Sequence, residues 1–337
     1  MSSSLFDVHS FAAIDGFKCN LLRLKNNNNI TRGPVLLVHG AGVRANIFNP
    51  PNEKTLIQCL AEAGYDVWLE NWRASIDCTP NQWDLDIVSE NDHPAAVREV
   101  CRLTGASSIK AIIHCQGSTS FTLSAIKGLV PQVSTIVSNA VSLHPVIPSF
   151  ARFKLNVFLP FIALISKELN PQWGNNAPDL KSKFFRTLAE LTHWENDTTV
   201  GKLVSFTYGS GFPALWELDN LTEETKQWIR NEFAFVPISF FNHIKKGVKA
   251  GALMSSDGKI NYSTEKPKTD ARFAFFAGKL NKCFCYQGQV NSFNFFNSIK
   301  SNFHTLHLYD TYSHLDIFYG KNSHKDIFPE MIKELNN

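Results

Sequence analysis

The sequence predicts an α/β fold: a mostly parallel central sheet with helices on both faces and a helical cap inserted late in the chain. Three observations carry this. Apolar runs of strand length alternate with amphipathic helical runs as far as residue 146, the order that builds a parallel sheet through crossover helices. Over 147–268 the pattern changes to helices and loops rich in aromatics, Trp173, Trp194, Trp216 and Trp228 among them. Strand-like runs then return at 271–278 and 303–309. The expected division is core over 1–146, cap over 147–268 and core again over 269–337.

In chain order, residues 6–24 read as a hairpin turning at Asp15-Gly16, a dipeptide that tight turns favour. The polar run Asn26-Asn27-Asn28-Asn29 reads as a loop. Val35-Leu36-Leu37-Val38 is continuously apolar, as expected of a strand covered on both faces. It ends in His39-Gly40-Ala41-Gly42, where glycines let the backbone turn and leave amides free. A helix over 55–63 buries Leu56, Cys59 and Leu60 and stops at Gly64. Tyr65-Asp66-Val67-Trp68-Leu69-Glu70-Asn71-Trp72 is the next strand. Asp92-His93-Pro94 supplies a capping residue and an early proline, predicting a helix start there. That helix ends at Thr104-Gly105. The apolar strand Ala111-Ile112-Ile113 follows and breaks into His114-Cys115-Gln116-Gly117-Ser118. A further strand is expected over 133–141.

Composition narrows the function classes. The chain has 337 residues, 44% hydrophobic content and a formal net charge of +3 without a basic stripe, which argues against a nucleic-acid partner. Its seven cysteines are odd in number and scattered, and the first residues lack a charged-then-apolar leader, so a reducing, cytoplasmic setting is expected. Cys283-Phe284-Cys285 has no matching pair nearby, so no metal is expected. The apolar run over 155–165 is too short to span a bilayer and contains Pro160. Burial is its first expectation, and peripheral contact with a membrane or greasy substrate its second.

Chemistry concentrates at Cys115. A nucleophile on a strained strand-to-helix turn needs small flanking residues; Gly117 fits, whereas Ile113 departs from the pattern. The alternatives are a small buried thiol without chemistry, or a frame shifted to Ser118. Helix position and a paired histidine are expected to lower the thiol's pKa. Backbone amides of Ala41 and Gln116 are placed to hold an oxyanion. His314, after the last strand, is the expected base, ahead of His304, His307 and His324. The residue orienting it is expected at Asn281, with Asp310, Asp316 and Asp219 as rivals. His39, Gly40, Arg44, Trp72, Arg73 and His114 are candidate substrate contacts. Arg44 and Arg73 suit a substrate carboxylate or phosphate, or equally internal salt bridges. Thr207-Tyr208-Gly209-Ser210-Gly211 places a serine between glycines but follows no strand, and reads as a turn lining the pocket.

His39-Gly40-Ala41-Gly42, the Cys115 elbow and Ser313-His314-Leu315-Asp316 together resemble the α/β-hydrolase superfamily across nearly the whole chain. Ala63-Gly64-Tyr65-Asp66-Val67-Trp68-Leu69 and His314-Leu315-Asp316 are similar to the acid lipases. The cysteine elbow with Asn71-Trp72-Arg73 resembles polyhydroxyalkanoate synthases. The runs beginning at Val38 and His114 look like hydrolase modules fused to cholesterol-oxidase-type flavoproteins. These resemblances imply an acyl-ester or sterol-like substrate and allow a functional link to a flavin oxidoreductase. No dinucleotide fingerprint is present, so no cofactor is expected. Three functions follow: hydrolysis of a hydrophobic ester through a Cys115 thioester, transfer of the acyl group to another acceptor, or binding without turnover.

Overall fold

The computed structural model describes residues 5–25, 30–209 and 215–337. The asparagine run over 26–29, the first four residues, and Ser210 and Gly211 of the glycine-flanked run lie outside the described residues.

Strands β1 (Phe6–Ala12) and β2 (Lys18–Leu24) form the expected hairpin, with Gly16 at φ 86° in the turn. The fully buried β3 (Pro34–Val38) leads to α1 (Leu56–Glu62), which Thr55 caps by accepting the Gln58 amide. Next come β4 (Asp66–Asn71), α2 (Leu85–Thr104), β5 (Ile109–His114), α3 (Cys115–Ile126) and β6 (Val133–Asn139).

The start of α2 corrects one expectation. Asp84, not Asp92, caps the helix by accepting the Ile87 amide, and Pro94 sits inside it. Asp92 and His93 serve long-range partners instead. Asp92 holds the Arg73 guanidinium at 2.8 Å, and the ring of His93 bridges Glu70 on β4 (2.9 Å) and Ser120 on α3 (2.7 Å). The tertiary gain outweighs the hydrogen bond that proline removes.

Between β6 and the next sheet strand lie α4 (Ser149–Phe153), a π-helical turn at Lys154–Phe158, α5 (Leu159–Ile165), β7 (Glu168–Leu169), α6 (Leu180–Thr192), α7 (Thr199–Tyr208), α8 (Glu223–Trp228), β8 (Val236–Pro237) and α9 (Ile238–Ala250). The sheet resumes with β9 (Arg272–Gly278), followed by α10 (Tyr286–Ile299) and β10 (Thr305–Tyr309). Short helices over 316–336 close the chain.

The eight-stranded sheet runs β1-β2-β4-β3-β5-β6-β9-β10. Only β2 runs against the rest. After β3 the chain crosses to β4 on one side and returns to β5 on the other, so β3 and β5 flank the switch point, where open α/β sheets bind ligands at their strands' carboxyl ends. Val38 pairs with Ile113 there. His39-Gly40 and His114-Cys115 therefore leave the sheet side by side. No helix among the described residues is long and apolar enough to cross a membrane.

Candidate active site

Cys115 is the first residue of α3 and has φ 57°, a left-handed conformation that costs a non-glycine residue about 1–3 kcal/mol. Tight packing holds this turn. A Cβ at Gly117 would collide with the His39 carbonyl, and one at Gly40 would come within 2.8 Å of the Cys115 Cβ. Ile113 lies wholly buried inside the sheet, which accommodates the larger side chain at that flank. Ser118 points away from the site, its hydroxyl bonded to that of Ser138 at 2.7 Å.

The backbone amides of Gln116 and Ala41 lie beside the Cys115 sulfur and favour its charged form. The Tyr208 hydroxyl, at the end of α7, donates to the Ala41 carbonyl at 3.0 Å and so fixes that loop from above. His114 and His314 each place a ring nitrogen within 4.8 Å of the sulfur, and their rings lie 4.8 Å apart. Asn281 lies against His314, with Nδ2 at 2.9 Å from Nδ1. Its Oδ1 accepts the amides of Cys283 (2.9 Å) and Phe284 (3.1 Å). The Nε2 of His314 is buried and has no hydrogen-bond partner.

Burial dominates the electrostatics. It pushes the Cys115 thiol up to about 12, against the pull of the two amides, and holds His314 well below the usual imidazole range, with His114 adding to the fall. The expected depression of the thiol is therefore reversed: neutral thiol and neutral imidazole are the resting forms. Burial likewise takes His114 down to about 4 and His39 to about 3.

Among the rivals to Asn281, Asp310 is exposed and paired with Lys279, and Asp219 is exposed. Asp316 is fully buried and braces the turn before His314, accepting from the Ser313 amide (2.8 Å) and from Asn220 (2.6 Å). Of the candidate substrate contacts, Gly40 and His114 pack against Cys115. Trp72 supports the site from below by stacking on His39 and donating to its carbonyl at 3.0 Å. Arg44 and Arg73 do not line the pocket. Arg44 is bound by Asp77, Glu232 and the Asn231 carbonyl, and Arg73 by Asp92 and Asp15, so their charges are already matched within the protein.

Above the sulfur lies a pocket whose wall is mostly apolar, with Ile147, Leu155, Leu159, Ile162, Phe240 and Ile244 among its lining. Thr207, Tyr208 and Gly209 also line it, as expected of that run, but Thr207 and Tyr208 are the last turn of α7 and not a separate turn. Lys154 was not foreseen. It reaches the carbonyls of Ser205 (3.2 Å) and Phe206 (2.8 Å) beside the pocket, and burial lowers its pKa to about 7. No local sequence signal marks it.

Among the described residues, two groups of side chains have metal-like spacing. His114, Cys115 and His314 form one. Asp84, Asp86 and His243 form the other, but Asp84 caps α2, Asp86 binds Ser256 and Tyr262, and His243 uses both ring nitrogens on Leu85 and Met254. The second group is thus committed to holding the fold.

A single elbow, two amides and a late histidine on this sheet define an α/β-hydrolase fold. Solved structures agree. The chain is similar to a monoglyceride lipase of Saccharomyces cerevisiae (TM-score 0.62, 14% identity, 99% of this chain and 95% of that one) and to an esterase of Thermogutta terrifontis (0.58, 12%, 98% and 100%). Likeness at such identity shows the fold. No family model matches. By sequence the chain is similar to sterol esterase 2 of Saccharomyces cerevisiae (27% over 157 residues, 39% of this chain and 29% of that protein). It is also similar to bovine gastric triacylglycerol lipase (31% over 130 residues, 34% and 33%). The chain thus spans about a third of the length of these curated relatives.

Proposed function

We propose that this chain is an ester hydrolase that carries the acyl group of a hydrophobic ester on Cys115. The observation behind this is the cysteine held at φ 57° under two amides at the floor of an apolar pocket. The similarity to proteins named sterol esterase and lipase supports an ester of a lipid or sterol as substrate.

In this reading Sγ attacks the ester carbonyl, and the amides of Ala41 and Gln116 hold the oxyanion. As the C–O bond breaks, His314 gives its ring N–H proton to the departing alcohol, and the thiol proton replaces it on the imidazole. Water then adds to the thioester, the S–C bond breaks, and a carboxylic acid leaves as the thiol recovers its proton. Transfer to an alcohol or amine is the second reading, favoured by the mostly apolar pocket wall, which holds water poorly.

The run 149–165 supplies the entry. It turns Leu159 and Ile162 into the protein while Phe161 and Leu164 stand 64% and 83% exposed, a surface that suits peripheral contact with a lipid interface. All seven cysteines are unpaired, which suits the cytoplasm. The test is intact-mass detection of an adduct after incubation with activated acyl esters of increasing length. An adduct on the wild type and none on Cys115→Ala supports the reading; no adduct, or one that survives the substitution, overturns it.

A further inference from the structure

We infer that Asn281 is a positioning residue that holds His314 with its proton on Nε2 and thereby acts as a brake on the Cys115 chemistry. This rests on the acyl-thioester reading above. The orientation of the Asn281 amide is fixed by the chain itself. The Cys283 and Phe284 backbone amides can only donate, so the atom facing them is Oδ1. Nδ2 is left facing the Nδ1 of His314 at 2.9 Å, and because Nδ2 can only donate, Nδ1 must accept. A neutral imidazole that accepts at Nδ1 carries its proton at Nε2.

Nδ1 being occupied, Nε2 is the nitrogen left for the thiol, and it is buried without a partner. With a proton already there, His314 offers a donor to Cys115 and has no lone pair to take the thiol proton. Protonating Nδ1 to form imidazolium would set an N–H against the Asn281 NH₂. The neighbouring His114 has the opposite arrangement. Asn139 gives its Nδ2 to the Phe276 carbonyl, so its Oδ1 accepts His114 Nδ1–H at 2.7 Å and leaves Nε2 unprotonated. A carboxylate at position 281 would keep both backbone amides satisfied, accept Nδ1–H, and free Nε2 as a base.

The test is Asn281→Asp beside the wild type, read in two ways. Long-range ¹H–¹⁵N spectra of the imidazoles report the tautomer: wild-type His314 is expected protonated at Nε2 and the variant at Nδ1. Adduct formation on Cys115 with an activated acyl ester is expected to rise at least about tenfold in the variant, since a histidine held in the wrong tautomer costs up to about 10⁴ in rate. Wild-type His314 found protonated at Nδ1 overturns the inference, as does a folded variant that is no faster. If neither protein forms an adduct, the acyl reading fails, while the spectra still decide the tautomer.

Discussion

At the scale of single residues, burial decides the charge states, and this has measurable consequences beyond Cys115. Asp316 is buried beside the His314 turn, and its pKa is raised to about 7, burial outweighing the bonds from Asn220 and Ser313. The folded protein therefore binds this proton more tightly than the unfolded chain, whose carboxyl titrates near 4. The stability it contributes is full below about pH 4 and is lost as pH rises toward 7. Denaturant unfolding from pH 4 to 8 is expected to show this loss, and Asp316→Asn to flatten it; an unchanged slope in the variant contradicts the assignment. Gly117→Ala is expected to cost about 1–3 kcal/mol by forcing a methyl onto the His39 carbonyl, read as a lower denaturation midpoint. That Cys115 and His314 meet at one site was readable from motif and chain order. Their protonation states were not, because they depend on burial in the folded chain and on which way the Asn281 amide turns.

At the scale of elements, α2 and α3 are tied to the sheet by a sealed polar chain. Glu70 on β4 meets His93, His93 meets Ser120 at 2.7 Å, and Ser120 donates to the Gln116 carbonyl next to the nucleophile at 2.9 Å. The chain resembles a serine triad in its bonds, but Glu70, His93 and Ser120 are wholly buried, so it braces the elbow from behind. Removing His93 leaves a buried carboxylate without its partner. His93→Gln is expected to destabilise the fold by about 3–5 kcal/mol in equilibrium unfolding. A loss under about 1 kcal/mol would show that the chain is not a brace. This network is also why the start of α2 was misread from sequence. Asp92 and Pro94 carry the local marks of a helix start, but Asp92 and His93 find their partners in Arg73 and Glu70, about twenty residues away, and no local window contains them. The strands were legible because burial on both faces leaves an uninterrupted apolar run, as in β3 and β9.

At the scale of the whole molecule, the sheet presents Cys115 at its switch point and the residues between β6 and β9 roof it with an apolar pocket. The core half of the site follows from motifs in sequence order. The roof does so only in part: the run at Thr207 was legible as pocket lining, whereas Lys154 reaches the site from a segment with no local signal. Because the run 149–165 faces the pocket on one side and solvent on the other, a paired Phe161→Glu, Leu164→Glu variant is expected to lose flotation with phospholipid vesicles while labelling by a short soluble ester is unchanged. Vesicle binding equal to that of the wild type would remove the membrane contact from the account. An acyl chain filling the pocket should also gain up to about fourfold in labelling efficiency per added methylene, from about 0.8 kcal/mol for each one buried. The most direct measurement is peptide mapping of the acyl group after incubation with an activated decanoyl ester. The account predicts a single acyl group on the peptide containing Cys115, released by hydroxylamine as a thioester is. An acyl group on Ser118, Ser120 or any other residue, with Cys115 left as a free thiol, would contradict it.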